Sequence, residues 1–188
     1  MSWRALILTC YLVFDWFGLS HAAEPVVLDV RTEPTGGVKA TATIFLPAPV
    51  SVVQAILTDY MHWPELFELQ MKLADVTIQN GVATTDIRIE HMLLPGERRL
   101  VTESRVLPNG DLVADLKTGD FKRYHRRWTL TAADGGAQTR ADFELVVEID
   151  SVLPDRLIAF ATRRDLKSHF RILREKALAR ALELQSGR

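Results

Sequence analysis

The chain has 188 residues, 47% apolar and 25% charged, with a formal net charge of −1. That balance is ordinary for a folded globular domain and excludes intrinsic disorder, and near-neutrality argues against a nucleic-acid binder that works by general phosphate neutralisation. A chain of this size buries roughly 70% of the surface its unfolded form exposes, enough for one core without staples, and the single cysteine, Cys10, excludes a disulfide framework or a Cys-rich zinc site.

The first segment reads apart from that domain. Met1 to Arg4, an apolar stretch from Ala5 to Leu19 and the small residues around Ala22-Ala23 follow the order of a secretory signal, with cleavage expected after Ala22. Asp15 breaks the apolar run, which is shorter than the ~20 residues a spanning helix needs, so an uncleaved anchor is the second reading. A lipoprotein anchor on Cys10 is rejected because too little apolar length precedes it. Cleavage leaves a cysteine-free mature chain, which suits an oxidising compartment such as a periplasm. The expected division is a signal peptide over residues 1–22, an extension over 23–37 and one ligand-binding domain over 38–188.

In the extension, Pro25, Pro34 and the Gly36-Gly37 pair flank a short apolar piece, Val26-Val27-Leu28, that allows a strand fragment. Val38 to Leu46 alternates small and β-branched residues and predicts a strand ended by Pro47 and Pro49. A helix follows with Ser51 as its N-cap and Val52, Ala55, Ile56 and Tyr60 as one buried stripe. Pro64 breaks it, and Glu65 to Leu69 predicts a second short helix.

From Lys72 the chain becomes a series of strand-like runs separated by turn signals: Asn80-Gly81, Pro95-Gly96, Asn109-Gly110, Gly119-Asp120 and Asp134-Gly135-Gly136. Six strands are predicted, at Lys72 to Gln79, Val82 to Met92, Arg98 to Leu107, Asp111 to Thr118, Arg123 to Ala132 and Gln138 to Ile149. Connections this short force antiparallel neighbours. After Pro154 the period turns helical. Asp155 opens a long helix expected to bury Leu157, Ala161, Phe170, Leu173, Ala177 and Leu182. Residues 154–188 hold nine Lys/Arg against four Asp/Glu, whereas 23–153 hold 13 against 19. The terminal helix is therefore basic and the body acidic, which suits either a solvated face or transient contact with an anionic membrane. An antiparallel sheet of about seven strands with helices on one face is an α+β design.

Several stretches resemble the START-like, or SRPBCC, superfamily, in its polyketide cyclase/dehydrase and coenzyme Q-binding START-domain branches. They are Ile44 to Pro49 leading into Val52 to Tyr60, then Trp63-Pro64, Phe121 to Tyr124, Trp128 to Leu130 before the Gly135-Gly136 turn, and the helix after Pro154. The resemblance implies a helix-grip fold, with a curved sheet around the long C-terminal helix and an apolar pocket between them. It further implies a hydrophobic ligand, such as a lipid, quinone, sterol or polyketide, or cyclase or dehydratase activity on one. A secretory leader departs from the cytosolic and mitochondrial members.

Strand alternation selects the polar residues that face such a pocket. On Val82 to Met92, His91 shares a face with Ile87 and Ile89. On Arg98 to Leu107 the inward set is Leu100, Thr102, Ser104 and Val106, which offers two hydroxyls. On Arg123 to Ala132, inward Trp128 and Leu130 bring Tyr124 and Arg126 with them. A buried arginine is rare unless paired and suits a carboxylate, phosphate or quinone carbonyl on an apolar ligand; the alternative is a rim arginine that snorkels outward or pairs with an acid such as Asp115 or Asp142. Asp59, His62, Tyr60 and Trp63 sit at a helix break, read as aromatic packing in preference to an acid–base pair.

His62, His125 and His169 fall in no metal-binding spacing, and no GxSxG, GxxxxGK or GxGxxG occurs. No metal, cofactor or nucleic-acid partner is expected. The leading expectation is a periplasmic binder or carrier of a hydrophobic ligand, contacted by Arg126, Tyr124, His91, Trp128, Ser104, Thr102 and Trp63. The alternative is a cyclase or dehydratase in which His91 or Tyr124 moves protons and Arg126 stabilises an enolate.

Overall fold

The computed structural model describes residues 27–92 and 94–187; the segment read as a leader lies outside them. Eight strands form one fully antiparallel sheet: β1 Val27–Thr32, β2 Val38–Leu46, β3 Gln70–Gln79, β4 Val82–His91, β5 Leu94–Val106, β6 Leu112–Gly119, β7 Phe121–Ala133 and β8 Gln138–Ile149. Their spatial order is β1-β2-β8-β7-β6-β5-β4-β3. The meander from β3 to β8 turns at four of the five expected signals. Pro95-Gly96 lies instead inside β5, which starts at Leu94 and not at Arg98, next to a register shift where His91 pairs with Leu94. β8 then pairs with β2 to complete the sheet. Helix α1, Val50–Thr58, and a 3-10 helix, Tyr60–Leu66, connect β2 to β3, and α2, Asp155–Ser186, ends the fold. This is the α+β, helix-grip arrangement.

The segment expected as an extension contributes β1, so the sheet has eight strands where about seven were expected. β1 pairs with β2 throughout. The outer edge of β1 is not left open. The Arg163 guanidinium of α2 donates to the Leu28 and Val30 carbonyls, both at 3.1 Å, which satisfies acceptors an edge strand otherwise exposes.

β2 shows why α2 lies where it does. Its alternate residues Val38, Ala40, Ala42, Ile44 and Leu46 are all buried, one face of a pleat against the helix. Small residues on both partners, Ala40 and Ala42 on β2 and Ala177 and Ala181 on α2, are buried in the same core and permit close approach. At its centre Trp128, Phe143 and Phe170 pack tilted or edge-on at 4.6 to 5.8 Å, each side chain contributing about 1.5–3 kcal/mol by burial. A second cluster, Trp63, Leu66 and Ile87, lies under the 3-10 helix.

Several local expectations need correction. α1 begins one residue before Ser51, with Pro49 at the N-cap and no side-chain cap; proline's fixed φ starts the turn without a hydroxyl. Its buried residues are Val52, Val53 and Leu57, while Ala55 is exposed. The segment after α1 forms a 3-10 turn with Pro64 inside it, in place of a helix over Glu65 to Leu69. On α2 the buried stripe is Ile158, Leu166, His169, Phe170, Leu173, Ala177 and Ala181, and Leu157 and Leu182 are exposed; Phe170, Leu173 and Ala177 are buried as expected, and the helix is rotated so that His169 and Ala181 join them. Val106, expected inward, is 46% exposed because β5 there runs past the covering helices.

One opening in the sheet bears on the site. β6 pairs with β7 only between Leu112–Asp115 and His125–Trp128. Beyond that, residues 116–119 stay with β5 and residues 121–124 stay with β8, so the two strands diverge toward their connection. Gly119 lets the chain turn back there: its φ is 129°, and a Cβ would lie far inside contact with the Arg99 carbonyl oxygen. Asp120 fastens the corner, its carboxylate accepting from the Arg99 N–H at 2.7 Å.

Candidate ligand site

The site is built on one cross-strand row of the inner face. Ser104 on β5 stands opposite Ala114 on β6, and Ala114 stands opposite Arg126 on β7. Ala114 is fully buried and separates the two polar residues, whose backbones are two strand spacings, roughly 9–10 Å, apart. Trp128 follows Arg126 by two residues and shares its face.

The 3-10 helix closes over this row. Trp63, 4% exposed, is fixed by its indole N–H, which donates to the Leu57 carbonyl at 3.0 Å. The Arg126 guanidinium carbon lies 4.1 Å from the Trp63 ring centroid, a cation–π contact. Tyr60 meets Trp63 edge-on at 5.1 Å, and burial pushes its phenol above the usual tyrosine value, with the Arg126 charge and the Ser104 hydroxyl opposing.

From α2 comes His169, 2% exposed. Its Nδ1 lies 2.9 Å from the Leu66 carbonyl, an oxygen that only accepts, so Nδ1 carries the proton. The ring stacks on Phe67 at 4.3 Å and 3°. Burial pushes its pKa down to about 4; the Leu66 hydrogen bond opposes this and the Arg126 charge adds to it. At neutral pH Arg126 is therefore the one charged member of the group, flanked by an uncharged phenol and an uncharged imidazole.

Two buried nitrogens of this row, Arg126 Nε and Trp128 Nε1, have no hydrogen-bond partner, and Ser104 Oγ, which forms no well-aligned hydrogen bond, faces the Tyr60 phenol whose titration it influences. Arg126 is half-buried, and the pairing with Asp115 or Asp142 does not occur. Asp115 serves His125 at 2.7 Å and Arg105 at 3.0 Å, and Asp142 serves Thr43 and Arg140.

The other candidates lie apart from this row. Thr102 is buried, but its hydroxyl bonds to that of Thr85 at 2.9 Å within the sheet. Tyr124 is half-buried and packs edge-on to Phe121 at 6.4 Å beside the main core. His91 stands at the rim, where its Nε2 lies 3.3 Å from the Asp165 carboxylate of α2. Burial raises the Asp165 carboxyl above the usual range, with the His91 charge opposing. This pair borders a cavity of about 590 Å³ between the end of β4 and α2, lined also by Glu68, Met92, Arg164 and Ser168.

Tyr60, His169 and Asp165 carry site features that the sequence reading did not assign. Tyr60 was read as packing alone. His169 lies three residues after Leu166 and four before Leu173, and Asp165 lies four before His169, and that 3–4 period was the available signal. Among the described residues no group of three His, Cys, Asp or Glu side chains is placed to hold a metal.

A family model described as polyketide cyclase / dehydrase and lipid transport matches residues 46–170, from the end of β2 into α2. The chain belongs to this family. No curated protein sequence matches the chain, but solved structures share the fold. A Thermus thermophilus protein is 20% identical, covering 76% of this chain and 99% of its own, with a TM-score of 0.64. A STAR-related lipid transfer protein from Xanthomonas axonopodis is 12% identical over 81% and 93%, with a TM-score of 0.65. The Zhui aromatase/cyclase from Streptomyces sp. R1128 is 10% identical over 81% and 94%, with a TM-score of 0.57. At these identities the likeness concerns the fold. In this member of the polyketide cyclase / dehydrase and lipid transport family, the matched span contains every residue of the Ser104–Arg126–Trp128 row, the covering Tyr60 and Trp63, and His169.

Proposed function

We infer that the protein binds and carries a hydrophobic molecule, a lipid, quinone or polyketide-like compound, between the inner face of the sheet and α2. The observation that carries this reading is the pair of buried nitrogens without partners, Arg126 Nε and Trp128 Nε1, among aromatic side chains. Each such atom costs about 1–3 kcal/mol in an empty protein, and a bound molecule with one polar end removes that cost while its apolar body occupies the rest. Arg126, Trp63, Trp128 and Ser104 hold the polar end; Thr102 supports the wall through Thr85, and His91 and Tyr124 contact the ligand toward the rim.

The leader reading makes this a periplasmic carrier, and a cysteine-free chain after residue 22 supports it. Transient contact with a membrane falls at the start of α2, since much of the remaining basic face is engaged: Arg171 with Glu68 and Glu175, Lys176 with Glu65, Arg174 with the Phe45 carbonyl. At that end Leu157, Phe160 and Met92 are 46%, 67% and 80% exposed beside Arg164, a composition suited to a lipid interface.

A second reading, a cyclase or dehydratase, is favoured by the phenol of Tyr60 held protonated beside the Arg126 guanidinium. In it Tyr60 donates a proton and Arg126 stabilises an enolate. Titration with Nile red tests the carrier reading. Saturable one-to-one binding with energy transfer from Trp63 and Trp128 is expected, and its absence contradicts the reading. With a polyketide-like substrate, Arg126→Ala lowers affinity smoothly in a carrier, whereas in an enzyme it lowers turnover by orders of magnitude and leaves binding.

A further inference from the structure

We propose that the carried ligand is an acid, a hydrophobic molecule whose polar end is a carboxylate or an equally acidic oxygen, seated on Arg126. This rests on the carrier reading above and names the ligand chemistry of the same site.

The argument starts from charge pairing along β7. Arg123 and Arg127, on the outer face, each have a carboxylate, Glu148 at 2.7 Å for the first and Asp111 for the second. Arg99 on β5 likewise holds Asp86 at 2.7 Å. Arg126 lies between these paired residues in sequence but on the opposite face, and among the described residues no carboxylate pairs with it. Its neighbours there are Tyr60, kept protonated by burial, and His169, uncharged above pH about 4. The inner face therefore carries, on the half-buried Arg126, a positive charge with no carboxylate beside it, and its buried Nε is left without a partner.

The contact with Trp63 holds that charge in place. The guanidinium carbon sits 4.1 Å from the indole centroid, and a guanidinium carries a planar fork of N–H donors that matches a carboxylate. The nearby orphan Trp128 Nε1 only donates, and Ser104 Oγ is able to donate. Donors and a cation together select an anionic oxygen acceptor over an alcohol, amine or hydrocarbon. Arg98, on the β5 alternation of Leu100, Thr102 and Ser104, also has a buried Nε without a partner and extends the same preference along the inner face.

Isothermal titration of the folded protein with dodecanoate and with 1-dodecanol, at pH 8 and equal chain length, tests this. Dodecanoate is expected to bind about tenfold to hundredfold more tightly, the range of a charge-assisted hydrogen-bonded pair. Arg126→Gln is expected to remove that difference while alcohol binding, which also reports that the variant is folded, persists; Arg126→Lys keeps part of it. Equal affinity of acid and alcohol in the wild-type protein overturns the proposal and leaves the carrier reading standing. An acid preference that survives in Arg126→Gln overturns the assignment to Arg126. Binding of neither compound overturns the proposal and the carrier reading together.

Discussion

Thr85 and Thr102 are both fully buried, and each satisfies the other across β4 and β5. That pairing separates structural polar groups from those left open to a ligand, because Ser104, two residues on, forms no well-aligned hydrogen bond. Thr102→Val strands the Thr85 hydroxyl and is expected to lower stability by about 1–3 kcal/mol in urea denaturation, whereas the Thr85→Val/Thr102→Val double variant is expected near the wild-type value. A double variant as damaged as the single one would show that the pair matters for something other than mutual satisfaction. His169 makes the residue scale pH-dependent. Its folded pKa of about 4 lies below the unfolded value of 6.5, so between those values the unfolded chain holds more protons. Stability falls as pH drops through that window, by up to about 3 kcal/mol at its acid end, and this contribution is flat above it. Asp165, whose carboxyl is raised by burial, acts in the opposite sense, so the quantity to measure is the difference between wild type and His169→Gln at pH 7.5 and 4.5. A variant with the same pH dependence as wild type would remove His169 from the account.

At the scale of elements, alternation was the strongest signal in the sequence. It put Arg126, Trp128 and Ser104 on one face, and the structure places them so, because a two-residue period survives wherever both neighbours of a strand are paired. The helical segments were less legible. The stripe expected on α2 rightly included Ala177 but also Leu157 and Leu182, and it omitted His169 and Ala181, since hydrophobicity alone cannot tell the rotation that sets the helix against a surface bearing Ala40 and Ala42. The 3-10 helix was missed for a similar reason: its shape follows from Trp63 anchoring to the Leu57 carbonyl, a contact that depends on the finished core. β1 was only a fragment in the sequence because its value lies in pairing with β2 and accepting from Arg163, neither of which is local. The corner at Gly119 was legible as a turn but not as a close approach. Gly119→Ala is expected to destabilise by about 2 kcal/mol or more, read as a lowered denaturant midpoint, because its Cβ meets the Arg99 backbone at a φ that side chains rarely adopt. A neutral substitution would mean that the β6–β7 corner packs more loosely on β5 than its hydrogen bonds imply.

For the molecule as a whole, net charge conceals the distribution that matters. Outer-face arginines of the sheet are paired with acids, and cations of α2 such as Arg163 and Arg174 hold backbone carbonyls of β1 and β2, so much of the basic helix serves to clasp the sheet. Arg126 stands out against that pattern, with Trp63 over it and uncharged neighbours beside it. The sequence could suggest that arginine as inward-facing but could not show that both candidate acids are taken by other residues, which is a property of the assembled sheet. The central claim is that the protein holds a hydrophobic molecule between the inner face of the sheet and α2. Native mass spectrometry of the protein purified from its own host tests it most directly. The account predicts a species heavier than the chain by one small molecule, which is released on denaturation and regained on incubation with a lipid extract. A bare chain that takes up neither lipids nor quinones would contradict it.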